Sequence, residues 1–172
     1  MNKALPLRWF NRPTVDVARD LLGKYLVRRF PDGTEHAYRI TETEAYDGPE
    51  DLACHASKGR TPRTEVMFGE AGHFYVYFVY GIHWLLNIVT GPTDFPSAVL
   101  IRGLEGLSGP ARLTKALQID KSFYGKPATP KSDLWFEDRG EKVDQILATP
   151  RIGVDYAGKE WARKEWRFVI KI

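Results

Sequence analysis

Apolar and polar positions follow two rhythms along this chain. Between Thr14 and Leu22 a candidate N-cap precedes VARDLL, whose apolar residues recur at helical spacing, so a short helix is predicted there. Most of the remainder reads as strand. Lys24–Phe30 is the first, Asp32-Gly33 is a tight-turn signal, and Glu35–Tyr46 is the return strand. Side chains alternate along a strand, which puts Glu42, Glu44 and Tyr46 on one face and Thr41, Thr43 and Ala45 on the other. GHFYVYFVY, from Gly72 to Tyr80, is strongly β-forming. Gly81 interrupts it and HWLLNIVTG resumes the pattern, so a hairpin is expected with Tyr80 beside Gly81 at its tip. Phe74, Val76 and Phe78 have the parity expected of the core, and Tyr75 and Tyr77 the opposite one. Ser97–Leu104 is a further apolar strand. Ser108 reads as the cap of a helix, SGPARLTKAL, with Pro110 in the first turn where a missing N–H costs little. WRFVIKI reads as a closing strand. No repeat, low-complexity stretch or linker interrupts the pattern. The expected fold class is α+β: a single compact domain over residues 1–172, with a curved antiparallel or mixed sheet, flanking helices and a protruding β-hairpin.

Composition narrows the class without naming a function. A chain of 172 residues is long enough to bury a sizeable core. Its 43% hydrophobic and 27% charged content is ordinary for a soluble globular protein. No run approaches the roughly 18–20 apolar residues needed to span a bilayer, and MNKALPLRWFNRP lacks the apolar core of a signal peptide. The single cysteine excludes an internal disulfide and fits a reducing compartment, so a cytoplasmic, nucleoid-associated location is expected. Net charge is +3, which permits nucleic-acid binding without demanding it. Its distribution says more. Residues 1–30 carry a balance of +5 and residues 150–172 a balance of +3, around an acidic middle. These ends are either solvated faces or a phosphate-contacting rim.

The acidic middle is concentrated in TETEAYDGPEDLACH, residues 41–55, which holds five carboxylates and no Lys or Arg. The four histidines are His36, His55, His73 and His83. None pair at i, i+4, and Cys54 has no second cysteine, so no metal site and no cofactor are expected. Cys54 sits among small residues, as a packing cysteine does. No glycine-rich phosphate loop and no GxSxG are present. Carboxylates remain. Glu44 shares its face with Tyr46, and Tyr75 and Tyr77 share a face of the next strong strand. Two readings of these tyrosines stand: core packing, or a stacking surface for a planar heterocycle. Asp47, Glu50 and Asp51 fall in a turn-rich stretch and read as solvated or capping.

Five ordered blocks, TETEAYDGPEDLACHASKGRTPR, MFGEAGHFYVYFVYGIHWLLN, AVLIRGLE, SGPARLTKALQIDKSF and TPRIGVDYAG, cover nearly the whole chain. Together they resemble the alkyladenine (3-methyladenine) DNA glycosylases. The resemblance implies a monofunctional repair enzyme that flips an alkylated or deaminated purine from duplex DNA and hydrolyses its N-glycosidic bond. It implies Glu44 as catalytic base, with Arg102 beside the attacking water and target phosphate. It implies Tyr46, His55 and Tyr77 around the flipped base, Asn87 crowding out the guanine 2-amino group, and Leu100 as a pocket wall. Tyr80 matches the residue that fills the gap left in the duplex. Damaged double-stranded DNA is the implied partner, and a monomer the implied state. Only GLEGL separates Arg102 from Ser108, a shorter connection than in the mammalian members. Two rival classes are a binding module of the same fold without chemistry and a hydrolase of free nucleosides. Glu44 together with Arg102 speaks against the first, and Tyr80 at a hairpin tip against the second.

Overall fold

The computed structural model describes residues 2–171. Its regular elements in chain order are β1 (Lys3–Ala4), α1 (Thr14–Leu21), β2 (Tyr25–Arg29), β3 (Glu35–Asp47), β4 (Phe74–Val79), β5 (His83–Val89), β6 (Ser97–Leu104), β7 (Leu107–Ser108), α2 (Pro110–Ala116), β8 (Leu134–Asp138), β9 (Ile146–Thr149), α3 (Gly158–Arg163) and β10 (Arg167–Ile170). Short 3₁₀ turns lie between them. The described strands form one sheet, and every pairing in it is antiparallel. Its main path runs β1-β8-β2-β3-β6-β5-β4. The long strand β3 is the axis. Its first part pairs with β2, its second part pairs with β6 on one edge, and β10 takes over the other edge from β2.

Strand alternation divides the sheet into two faces with different chemistry. Ala45 of β3, Phe74 and Val76 of β4, Leu86 and Ile88 of β5, and Val99 and Ile101 of β6 belong to one buried cluster with Val17 and Leu21 of α1, Leu113 of α2 and Leu117 directly after α2. Helix α1 lies against β3 and β6, and α2 against β5 and β6. The Thr43 hydroxyl donates to the Ala18 carbonyl at 2.8 Å, which ties β3 to α1. Glu44, Leu100, Asn87 and Tyr75 are cross-strand partners on β3, β6, β5 and β4. Directly opposed residues share a face, so these four form a row across the other side of the sheet.

The predicted helices and strands are present with ends shifted by one or two residues. Two caps are corrected. Thr14 is the first residue of α1, and its hydroxyl bonds Thr90 instead of the helix amides. Ser108 lies in β7, and α2 starts at Pro110 behind Gly109 with no side-chain cap. Phe78 is corrected too: the hairpin runs out beyond the core, leaving it half-exposed against Trp84. Ile172, the last residue of the predicted closing strand, lies outside the described residues. No helix of the described residues is long and apolar enough to cross a membrane.

The hairpin tip is Val79-Tyr80-Gly81-Ile82, closed by the Ile82 N–H on the Val79 carbonyl. Both central residues have positive φ, +54° for Tyr80 and +69° for Gly81. This is the geometry that favours Asn-Gly, because a side chain such as tyrosine is strained there. Tyr80 is 90% exposed, so packing offers nothing in return. Tyr80→Asn is therefore expected to stabilise the fold by about 1 kcal/mol, a rise of about 2–4 °C in melting temperature for a chain of this size. A clear drop would show that Tyr80 packs.

Candidate active site

The site face opens into a cleft of about 300 Å³. Seven of the eight predicted site residues line it: Glu44, Tyr46, His55, Tyr77, Tyr80, Leu100 and Arg102. Asn87 lies instead in a small slot that shares Tyr46, His55 and Tyr77 with the cleft. Asn87 is buried, and its Nδ2 donates to the Tyr75 carbonyl at 3.2 Å. A double register slip places Arg102. Ile40 pairs with Leu104, Glu42 with Gly103, and Thr43 with Ile101, so Thr41 and Arg102 have no opposing residue. Such bulges re-aim side chains beside functional sites. Gly103 fits closely here: a Cβ would stand 3.0 Å from the Glu42 Cβ and 3.1 Å from the Thr41 hydroxyl, so a larger residue would need Glu42 to give way.

Glu44 is fully buried, and both of its oxygens are engaged. The Ile152 N–H donates to Oε2 at 2.7 Å, the Tyr46 hydroxyl donates to Oε1 at 3.0 Å, and Arg102 Nη1 stands 3.6 Å from Oε1. Arg102 is held from behind by Glu42, 3.2 Å from its Nε, and Glu42 also pairs with Arg167. Burial pushes the Glu44 carboxyl above its ordinary range. Arg102, the Ile152 amide and the Tyr46 hydroxyl pull it down, but desolvation wins, with Glu42 adding to the rise. The result is a carboxylate more basic than usual, which suits proton abstraction.

The aromatic wall stays neutral. Burial raises the Tyr46, Tyr75 and Tyr77 hydroxyls, so Tyr46 keeps the proton it donates to Glu44. Burial and the nearby Arg63 charge push His55 down to about 4. Its Nδ1 is 3.0 Å from the Tyr75 hydroxyl, and its ring meets Tyr77 edge-on at 4.5 Å. The Arg63 guanidinium lies 5.0 Å from the Tyr77 ring centre.

The structure adds residues that sequence reasoning missed. Ile152, Gly153, Val154 and Tyr156 form one side of the cleft. They belong to TPRIGVDYAG, a block that carries the resemblance but received no role. Asp51 corrects the reading of solvated carboxylates. It is fully buried, accepts from the Asp47 and Ala53 amides, and pairs with Arg151 at 2.6 Å. The expected local capping is there, but so is an ion pair to a residue far along the chain. Burial pushes the Cys54 thiol up to about 12, consistent with packing. Among the described residues no group of three His, Cys, Asp or Glu is placed to hold a metal. Several cations of the basic ends are engaged within the protein. Arg28 and Arg151 are buried and Arg167 is tied to Glu42, whereas Arg12 and Arg29 sit in exposed pairs worth little.

A fold that presents a buried carboxylate, an aromatic wall and an exposed tyrosine around one cleft limits the classes that fit, and comparison with known proteins fixes the class. The chain belongs to the methylpurine-DNA glycosylase family, whose model, "Methylpurine-DNA glycosylase (MPG)", matches residues 8–109 and 106–172. It is a DNA glycosylase, an enzyme of alkylated-base repair. A relative from Psychrobacter cryohalolentis is 49% identical over 89% of this chain and 86% of its own length. One from Methanocella arvoryzae is 46% identical over 97% of this chain and 92% of its own length, and one from Legionella pneumophila strain Corby 46% identical over 98% and 95%. All three carry the name "Putative 3-methyladenine DNA glycosylase".

The electrostatics give a prediction that can be read without substrate. Glu44 is expected to titrate above the usual glutamate value of about 4.3, measured from its carboxyl chemical shift. Glu42→Gln removes a like charge and leaves Arg102 with Glu44 as its nearest anion. Both changes favour the ionised form, so the variant should lower the Glu44 pKa; an unchanged or higher value would contradict this.

Proposed function

We propose that this glycosylase flips an alkylated purine out of duplex DNA and hydrolyses its N-glycosidic bond with a water activated by Glu44. The observation that carries the reading is the burial of Glu44, with both oxygens tethered and Arg102 at 3.6 Å. Glu44 takes a proton from water as the water oxygen bonds to C1′. The C1′–N9 bond breaks, its electron pair leaves with the purine, and an abasic site remains. The sugar passes through an oxocarbenium-like state, which a carboxylate stabilises electrostatically. Arg102 orients the water and faces the target phosphate.

Tyr46 and Tyr77 flank the flipped base, with His55 at its edge and Leu100 as a wall. Stacking on aromatic rings is worth roughly 1–3 kcal/mol per base, comparable to the few kcal/mol that flipping costs. A cationic alkylpurine gains further against π faces and is a good leaving group, whereas deaminated or etheno purines must leave without that help. Asn87, in the slot behind, crowds a guanine 2-amino group. Tyr80 inserts into the gap left in the duplex; its exposure and its strained turn favour that role over packing. Residues 1–172 act as a single domain and as a monomer in the cytoplasm, without a metal or cofactor.

Glu44→Gln should keep lesion-DNA binding within about tenfold, or roughly 1.4 kcal/mol, while single-turnover base release is mostly lost. A near wild-type rate would sink the assignment. Tyr80→Asn should weaken binding to duplex lesion DNA and change base release from a single-stranded substrate much less. Equal losses on both substrates would rule out insertion.

A further inference from the structure

We propose that the buried Asp51–Arg151 pair is a positioning device for the base, holding the Ile152 amide on Glu44; this rests on the reading of Glu44 above. The two side chains come from loops 100 residues apart in the chain and are both fully buried. They meet as a fork: Arg151 Nη1 donates to Asp51 Oδ2 at 2.6 Å, and Nη2 donates to Oδ1 at 3.0 Å. Each partner then grips backbone near the site. Arg151 donates to the Ala45 carbonyl at 2.9 Å and the Trp161 carbonyl at 3.1 Å. Asp51 accepts from the Asp47 and Ala53 amides, both at 3.0 Å. The fixed backbone therefore flanks Glu44 and Tyr46 on β3.

The next residue after Arg151 is Ile152, whose N–H lies 2.7 Å from Glu44 Oε2. The guanidinium also backs the Tyr46 ring at 5.0 Å, and Tyr46 donates to the other Glu44 oxygen. Both protein hydrogen bonds to the base thus depend on one side chain that does not touch it. Stability alone is a weak reason for this pair, because apolar residues of similar volume often serve as well as a buried ion pair. A planar fork fixes direction as well as distance, which suits an amide that must be aimed.

The charged and titratable groups facing Glu44 are Glu42 and Tyr46 of β3, Arg102 of β6, Arg167 of β10, Tyr77 of β4 and Tyr156 beyond the Ile152 loop. The Ile152 amide lowers the Glu44 pKa. Losing it should raise that pKa and move the acid limb of base release to higher pH.

Two variants test this on the full chain. Arg151→Lys keeps the charge and loses the fork. Asp51→Asn with Arg151→Gln removes both charges, so neither is orphaned. Each is measured for thermal melting, for affinity toward a duplex with one alkylated purine that the wild type releases, and for single-turnover release across pH, with Glu44→Gln alongside. The expected result is folded protein, affinity close to wild type, release slowed roughly 10–100-fold, and an acid limb shifted upward. A folded variant with wild-type rate and limb overturns the proposal. So does loss of folding in both, which would make the pair a staple of the fold. Glu44→Gln at wild-type rate overturns the base reading itself.

Discussion

Burial of the Glu44 carboxylate is the constraint around which the site is arranged. An ionised carboxylate is strongly disfavoured away from water unless it is paired and hydrogen-bonded. The protein supplies an amide from the Ile152 loop, a hydroxyl from its own strand and a guanidinium from the neighbouring strand. These do not fully offset desolvation, and the carboxyl remains above its ordinary range. That imbalance is useful. A base held too tightly by its partners would be weak, whereas one left partly uncompensated retains affinity for a proton.

The sheet makes this arrangement possible by separating duties between its faces. One face packs α1 and α2 and carries the apolar core. The other carries Glu44, Leu100, Asn87 and Tyr75 in a cross-strand row, with Tyr46, Tyr77 and Arg102 beside it. A site on paired strands is more rigid than one on loops alone. Loops still complete it, since Ile152, Gly153, Val154 and Tyr156 of the segment after β9 line the cleft. The projecting hairpin holds Tyr80 in a turn geometry that costs stability. Under the proposed function, that cost is offset by the role of Tyr80 in the duplex.

Much of this was legible because alternation is a local property. The parity of Glu42, Glu44 and Tyr46, and of Tyr75 and Tyr77, follows from the sequence and holds in the structure. So does the hairpin, since Gly81 breaks an otherwise continuous β-forming pattern. What was not legible depends on distant partners. β9 is four residues long and takes its place by pairing with β10. α3 has six residues, too few for a clear helical period. Asp51 reads as a turn residue until Arg151 is brought to it from another loop. The Ile152 amide carries no side-chain signal at all. The resemblance of five blocks supplied the roles of the named residues, which composition and spacing alone did not.

The most direct test of Glu44 as the base is to compare two titrations in one protein. The pH dependence of kcat/KM for base release reports the ionisations of the free enzyme, and the Glu44 carboxyl chemical shift reports its own. If Glu44 is the base, the acid limb of the rate and the titration of the residue share one midpoint above the usual glutamate range. A rate that is flat through the Glu44 titration, or that falls at a clearly different pH, would contradict it.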